Sequence, residues 1–225
     1  MPDIPLPVVS IIDYGMGNLF SVRQACEHAG IKPVITADKS VINSSDALIL
    51  PGVGAFGDAM DCLQALDLIS PIKDFISTGK PLMGICLGLQ LLMSESEEFG
   101  MHKGLDIIKG RVVKFPAKDE DGKINKVPQV GWNRILVNNQ PVRKGWEKTP
   151  LMGINDGESM YFVHSYYVQP VEKDLILSTT IYGKIEYCSS LLWKNIFAVQ
   201  FHPEKSANEG LKIYKNWSFQ NKPAL

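Results

Sequence analysis

Residues 81–93 read Pro-Leu-Met-Gly-Ile-Cys-Leu-Gly-Leu-Gln-Leu-Leu-Met, and this stretch most restricts what the chain can become. Pro81–Ile85 is a short apolar run suited to a buried strand. Leu87–Met93 is apolar apart from Gln90, as in a helix leaving that strand. Between them, Gly84-Ile85-Cys86-Leu87-Gly88 is a G-x-C-x-G, the cysteine version of a nucleophile elbow. At such a turn the nucleophile sits in a strained backbone conformation, and the flanking glycines leave room for it. The following helix offers unpaired N–H groups and a positive dipole end, both of which favour a thiolate. The pentapeptide alone is equally compatible with a buried cysteine in a glycine-containing turn.

The chain around this stretch alternates strand and helix. Val8–Asp13 is an apolar run ending in an acid, followed by a turn at Tyr14–Asn18 and a helical pattern over Leu19–Ala29 that Gly30 closes. Lys32–Thr36 and Ala47–Leu50 read as further strands. Asp58 is expected to cap a helix to Leu66, and Ser70-Pro71 to open one to Thr78. This alternation predicts an α/β fold, a doubly wound, mostly parallel sheet with helices on both faces. The second half changes character. Val112–Phe115, Arg134–Val137, Ser159–Tyr167, Leu175–Thr180, Ile185–Trp193 and Ile196–Phe201 read as strands, several of them pairing as an antiparallel extension. Lys118–Lys126 is polar and predicts an exposed loop, and Glu209–Trp217 predicts a closing helix. Nothing marks a linker, so residues 1–225 are expected to form one domain, with 1–7 an extended, proline-rich lead-in.

Composition limits the partners. A net charge of −1 argues against a nucleic-acid or anionic-membrane surface, and no apolar run is long enough to span a bilayer. The N-terminal residues carry no basic region and no signal-peptide core. The four cysteines, Cys26, Cys62, Cys86 and Cys188, are widely spaced without a metal-ligand pattern. The expectation is a cytoplasmic protein with free thiols. Cys26, Cys62 and Cys188 fall in helical or strand-like patterns and read as small core residues.

An activated cysteine needs a base, and the base needs an orienting group. Of four histidines, His28 reads as a helix-end surface residue and His102 as an exposed turn residue. His164, inside an apolar strand, reads as a hydrogen-bonded core residue. His202 is the candidate base: it follows the strand ending at Phe201, which places it at a sheet edge where α/β active sites form. Glu204, two residues on, can reach the far ring nitrogen and fix the tautomer. Pro51-Gly52-Val53-Gly54 follows a parallel strand and can turn backbone N–H groups toward a developing oxyanion.

Five segments together resemble the class I, triad-type glutamine amidotransferases. They are Asp13–Leu19, Pro51–Phe56, Gly84–Gln90, Tyr161–Tyr166 and Gln200–Ser206, in family order across nearly the whole chain. Within that family the chain resembles the glutaminase subunit of imidazole glycerol phosphate synthase. The resemblance implies a triad of Cys86, His202 and Glu204, with an oxyanion site at Gly52 and Val53 helped by the Leu87 N–H. It implies that Gln90, Glu98, Ser165 and Tyr166 hold the glutamine α-amino and α-carboxylate groups. It implies ammonia delivery, without metal or organic cofactor, to a (β/α)₈-barrel synthase/cyclase partner. One segment departs from the family's usual Pro-His-Met-Gly-Trp-Asn and reads Pro128-Gln129-Val130-Gly131-Trp132-Asn133. A second departure is Ala207-Asn208-Glu209, which stand after Ser206 where the family usually has Gly at once. The first segment faces the synthase in the family, so Gln129, Val130, Trp132 and Asn133 are expected at the partner interface. Histidine biosynthesis is the pathway so implied; related subunits supply ammonia for amidino-sugar formation in surface-polysaccharide pathways. A stand-alone γ-glutamyl cysteine hydrolase and a non-catalytic scaffold subunit are the rival classes.

Overall fold

A computed structural model of the protein describes residues 6–118, 121–122, 124–138 and 145–219. Most of the expected lead-in lies outside these residues. The first half runs β1 (Val8–Ile12), α1 (Leu19–His28), β2 (Lys32–Thr36), α2 (Lys39–Ser44), β3 (Ala47–Leu50), α3 (Phe56–Ala65), α4 (Ile69–Ser77), β4 (Leu82–Ile85) and α5 (Leu87–Leu91). Short strands follow: β5 (Glu95–Ser96), β6 (His102–Lys103), β7 (Gly110–Lys114), β8 (Gln129–Arg134) and β9 (Leu136–Val137). The chain ends with β10 (Ser159–His164), β11 (Tyr166–Pro170), β12 (Ile176–Tyr182), β13 (Ile185–Trp193), β14 (Ile196–Val199) and α6 (Ala207–Phe219).

The main sheet has the order β2-β1-β3-β4-β14-β13-β12-β9. Its first five strands are mutually parallel. Its last three add antiparallel, as the sequence pattern predicts for the second half. Because side chains alternate faces along a strand, each central strand feeds two cores. Val9, Ile11, Ala47, Ile49, Met83, Ile85, Phe197 and Val199 pack on one side with Val22 and Ala25 of α1 and Ile213 and Tyr214 of α6. Leu48, Leu50, Leu82, Ile196 and Ala198 pack on the other with Ile42 of α2, Phe56 and Leu63 of α3, Ile72 and Phe75 of α4, and α5. Burial on both faces explains why these strands read as continuous apolar runs.

Local differences from the sequence reading have physical causes. α2 was not expected: it is six residues long and buries only Ile42, with Asp38 accepting from the Ser40 and Val41 N–H groups. Asp58 does not cap α3. The helix begins at Phe56, whose N–H donates 2.7 Å to the Glu98 carboxylate, a residue far along the chain. The expected strand over 159–167 is two strands that break at Ser165. β10 pairs with β8 in a two-stranded ribbon, and β11 joins the sheet β11-β7-β5-β6. In the polar stretch 118–126, Lys118 and Ile124 form an isolated bridge, while residues 119, 120 and 123 lie outside the described ones. No described helix is long and apolar enough to cross a membrane.

Candidate active site

Three parallel neighbours, β3, β4 and β14, end at the same carboxyl edge of the sheet, and the loops leaving them build the site. β4 hands over to α5 through a single residue, Cys86, whose backbone has φ 54° and ψ −107°. A non-glycine residue at positive φ is strained, and such strain persists only where the surroundings over-determine it. Here the Cys86 N–H donates to Val199 O at 2.8 Å, tying the elbow to β14. Gly88 is required on the helix side, since a Cβ there would lie 1.9 Å from Leu50 O. The elbow therefore packs directly on the strand that launches Pro51-Gly52-Val53.

Gly52 is a glycine for a reason other than backbone angle. A Cβ would meet Tyr14 Oη at 2.3 Å and Leu87 Cβ at 2.9 Å, so close approach excludes a side chain. Tyr14, just beyond β1, donates 2.7 Å to Pro51 O and holds the loop. Burial and the charge of Cys86 keep its hydroxyl protonated by raising its pKa well above the usual tyrosine range.

On β14's side, His202 and Glu204 are both buried, and His202 Nδ1 lies 2.7 Å from Glu204 Oε1. The loop is pinned to β10: the His202 N–H donates to Tyr161 O at 2.9 Å. Ser206 Oγ donates to His202 O at 2.7 Å and accepts from the Tyr161 N–H at 3.0 Å. Burial pulls the His202 pKa down, but Cys86 and Glu204 together outweigh it and hold the ring up at about 10. Among the described residues His202 Nε2 makes no hydrogen bond, to Cys86 or any other group. We therefore read the influence of Cys86 as through-space charge, not as a formed hydrogen bond. The polar neighbours of the sulfur itself are Gln200 Nε2 at 3.6 Å and Val163 O at 4.0 Å.

A cavity of about 330 Å³ opens at Cys86, with Val53, Leu87, Gln90, Glu98, Ser165 and Tyr166 in its wall. The residues expected at the oxyanion and substrate positions thus converge there, except Gly52, which packs against Tyr14 and Leu87 and is not among the lining residues. Glu98 is half-buried. Burial raises its carboxyl pKa, against the opposing Phe56 N–H. His164, expected in the core, is buried and also borders the cavity. Its Nδ1 lies 2.8 Å from Tyr166 O and its Nε2 3.3 Å from Tyr187 Oη. Burial lowers its pKa to about 4, so the ring is neutral.

The other thiols and histidines stand apart from this chemistry. Burial pushes Cys26 and Cys188 up to about 12, which makes them inert core residues. His28 is exposed at the end of α1, whereas His102 is half-buried on β6 against Gly57, not in an open turn. No group of three or more His, Cys, Asp or Glu among the described residues is placed to hold a metal ion.

On β8, Val130 and Trp132 are 59% and 56% exposed, and Trp132 meets Tyr161 edge-on. Asn133 is half-buried and donates to Ile181 O at 2.9 Å. Gln129 departs from the expectation: it is buried at 3% exposure, because alternation along β8 turns it inward, against Tyr187.

The profile of the family described as glutamine amidotransferase class-I matches residues 10–220. The chain belongs to the class-I glutamine amidotransferases. It is 48% identical over 212 residues to the imidazole glycerol phosphate synthase subunit HisH of Syntrophotalea carbinolica, covering 93% of this chain and 98% of that one. It is 45% identical to the subunit of the same name from Aquifex aeolicus, over 92% and 94% of the two chains. A solved structure titled PurLQS from Thermotoga maritima superposes with a TM-score of 0.67 at 20% identity, covering 95% and 98%, and shares the fold. In this class-I chain, Gln200, Tyr14 and Ser206 contact Cys86, Pro51 and His202 of the candidate site, and motif reading did not single them out. Gln200 and Ser206 flank the His-Pro-Glu run, and Tyr14 lies within Asp13–Leu19, but only the fold brings them to the loops they hold.

Proposed function

We propose that the chain is a glutaminase subunit. It hydrolyses glutamine to glutamate and ammonia. The ammonia passes to a (β/α)₈-barrel synthase/cyclase that makes imidazole glycerol phosphate and AICAR in histidine biosynthesis. The observation that carries the reading is Cys86, held at φ 54° on the floor of a cavity shared with Val53, Leu87, Gln90, Glu98, Ser165 and Tyr166. The HisH names of relatives at 42–48% identity over nearly the full chain support the pathway.

In this reading Cys86 Sγ attacks the side-chain carbonyl carbon of glutamine while Gln90, Glu98, Ser165 and Tyr166 hold its α-amino and α-carboxylate groups. The carbonyl π electrons move to oxygen, and backbone N–H groups of the Gly52–Val53 loop and Leu87 take up the charge. His202 gives its proton to the departing nitrogen, and ammonia leaves a γ-glutamyl thioester. Acylation removes the Cys86 charge that helped raise the ring, so His202 releases its proton more readily at this step. Neutral His202 then takes a proton from water, hydroxide attacks the thioester, and glutamate departs as the thiolate re-forms. Glu204, 2.7 Å from Nδ1, fixes the tautomer throughout. The exposed Val130 and Trp132, with half-buried Asn133, form the face offered to the synthase. We place the reaction in the cytoplasm, where its free thiols stay reduced.

The test is Cys86→Ala in complex with the synthase. Glutamine-dependent synthesis should vanish while synthesis from ammonium salt survives, because the acceptor site lies on the partner. Loss of both would make Cys86 structural and sink the reading.

A further inference from the structure

Gln200 is fully buried at the end of β14, and its backbone N–H is already satisfied by Ser189 O at 2.9 Å. Its side chain lies between two groups of the candidate site. Nε2 is 3.6 Å from Cys86 Sγ, and Oε1 accepts from Gln90 Nε2 at 3.1 Å. Gln90 Nε2 also donates to Tyr166 O at 3.0 Å.

That carbonyl settles the orientation of both amides. Tyr166 O can only accept, so Gln90 must present its nitrogen to it. The Gln200 atom facing the same nitrogen must then be the acceptor oxygen. Gln200 is left with its N–H group toward the sulfur. A donor aimed at sulfur is matched to a thiolate; a thiol would offer it only a weak acceptor. Gln200 is fully buried and Cys86 nearly so, which weakens screening of the interaction.

We propose that Gln200 is a positioning residue for Cys86: its amide N–H, oriented through Gln90 by the Tyr166 carbonyl, holds the sulfur at the cavity and favours its anionic form. This rests on Cys86 being the nucleophile. It adds a link between the cavity wall and that nucleophile, because Gln90 both lines the cavity and holds Gln200.

The experiment compares the full chain with Gln200→Met, a replacement of similar volume, and with Gln200→Leu should the first fail to fold. Alkylation of Cys86 by iodoacetamide is followed by mass spectrometry as a function of pH, with half-buried Cys62 as the internal control. A hydrogen bond to a charged group is worth enough to move the alkylation midpoint up by about one to two pH units, with a roughly 10-fold or larger loss of rate below it. Cys62 should not change. A residue that merely fills the core would lower the melting temperature and leave the midpoint in place; an unmoved midpoint in folded protein overturns the proposal. Alkylation reads the sulfur whether or not glutamine is hydrolysed. Glutaminase activity surviving in Cys86→Ala would therefore overturn the functional reading separately.

Discussion

Replacing Gly88 by alanine adds one methyl group where there is no space for it. The new Cβ would sit 1.9 Å from Leu50 O and 2.9 Å from Leu50 C. Carbon–oxygen contacts in proteins run to about 3.3 Å, so one backbone must retreat from the other by about 1.4 Å. Alanine's better helix propensity returns at most about 1 kcal/mol. Overpacking typically costs about 1–3 kcal/mol, and here the obstacle is backbone on both sides, so about 3 kcal/mol is expected. For a chain of this size that is a fall of about 6–12 °C in Tm. The functional effect should exceed the stability effect. Leu50 leads into Pro51-Gly52-Val53, and Gly88 follows Cys86 by two residues, so the shift separates Cys86 from the loop proposed to hold the oxyanion. Misplacement by about 1 Å costs on the order of 10²-fold in rate. The assay is glutamine-dependent product formation by the complex below the melting point, with ammonium-dependent synthesis as the internal control. Wild-type Tm and kcat/KM in Gly88→Ala would refute the idea that this contact sets the geometry of the site.

In the same assay His202→Ala should lose about 10²-fold or more, as expected for loss of a general acid–base, and Glu204→Gln should lose less, since Glu204 orients the ring without transferring its proton; equal, complete losses in folded protein would contradict that division. Denaturant unfolding against pH should show opposite limbs from two histidines. His202, raised from 6.5 to about 10, contributes stability that is full below pH 6.5 and lost as pH rises toward 10. His164, lowered to about 4, contributes stability that is full above pH 6.5 and lost as pH falls toward 4. His202→Asn should flatten the alkaline limb and His164→Asn the acid limb, and a profile unchanged by either would contradict both assignments. Trp132→Ala should weaken binding of the synthase by about 30-fold, measured by calorimetry, if this exposed indole is a central anchor.

What was legible in the sequence was whatever local pattern decides. The alternation of β1, β3 and β4 with their helices could be read because these strands are buried as continuous apolar runs and glycine or proline follows β1, α1, β3 and α4 in the sequence. The elbow could be read because Cys86 and Gly88 lie within one pentapeptide. What was hidden depends on distant residues meeting. The α3 start could not be read because Glu98 replaces a local cap. The break at Ser165 could not be read because the apolar pattern continues through it. Only pairing reveals that Tyr161–His164 follow β8 while Tyr166 onward follows β7. Gln200 lies within the Gln200–Ser206 segment, but its side chain gains a partner only through the fold, from Gln90, 110 positions away in sequence.

Gln129 shows how period-two alternation separates interior contacts from exposed side chains on one short strand. Its amide lies 3.1 Å from Tyr187 Oη, which lies 3.3 Å from His164 Nε2. The His164 ring is neutral, and its Nδ1 faces a carbonyl, Tyr166 O, so Nδ1 carries the proton and Nε2 accepts. The single Tyr187 proton therefore faces two acceptors, His164 Nε2 and Gln129 Oε1, and Thr180 also stands beside the Tyr187 hydroxyl. Among the described residues Gln129 Nε2 is buried without a hydrogen-bond partner. Position 129 is thus fixed by an interior chain that ends at Tyr166 O, where Gln90 also donates. Alternation turns Val130 and Trp132 outward instead, at 59% and 56% exposure.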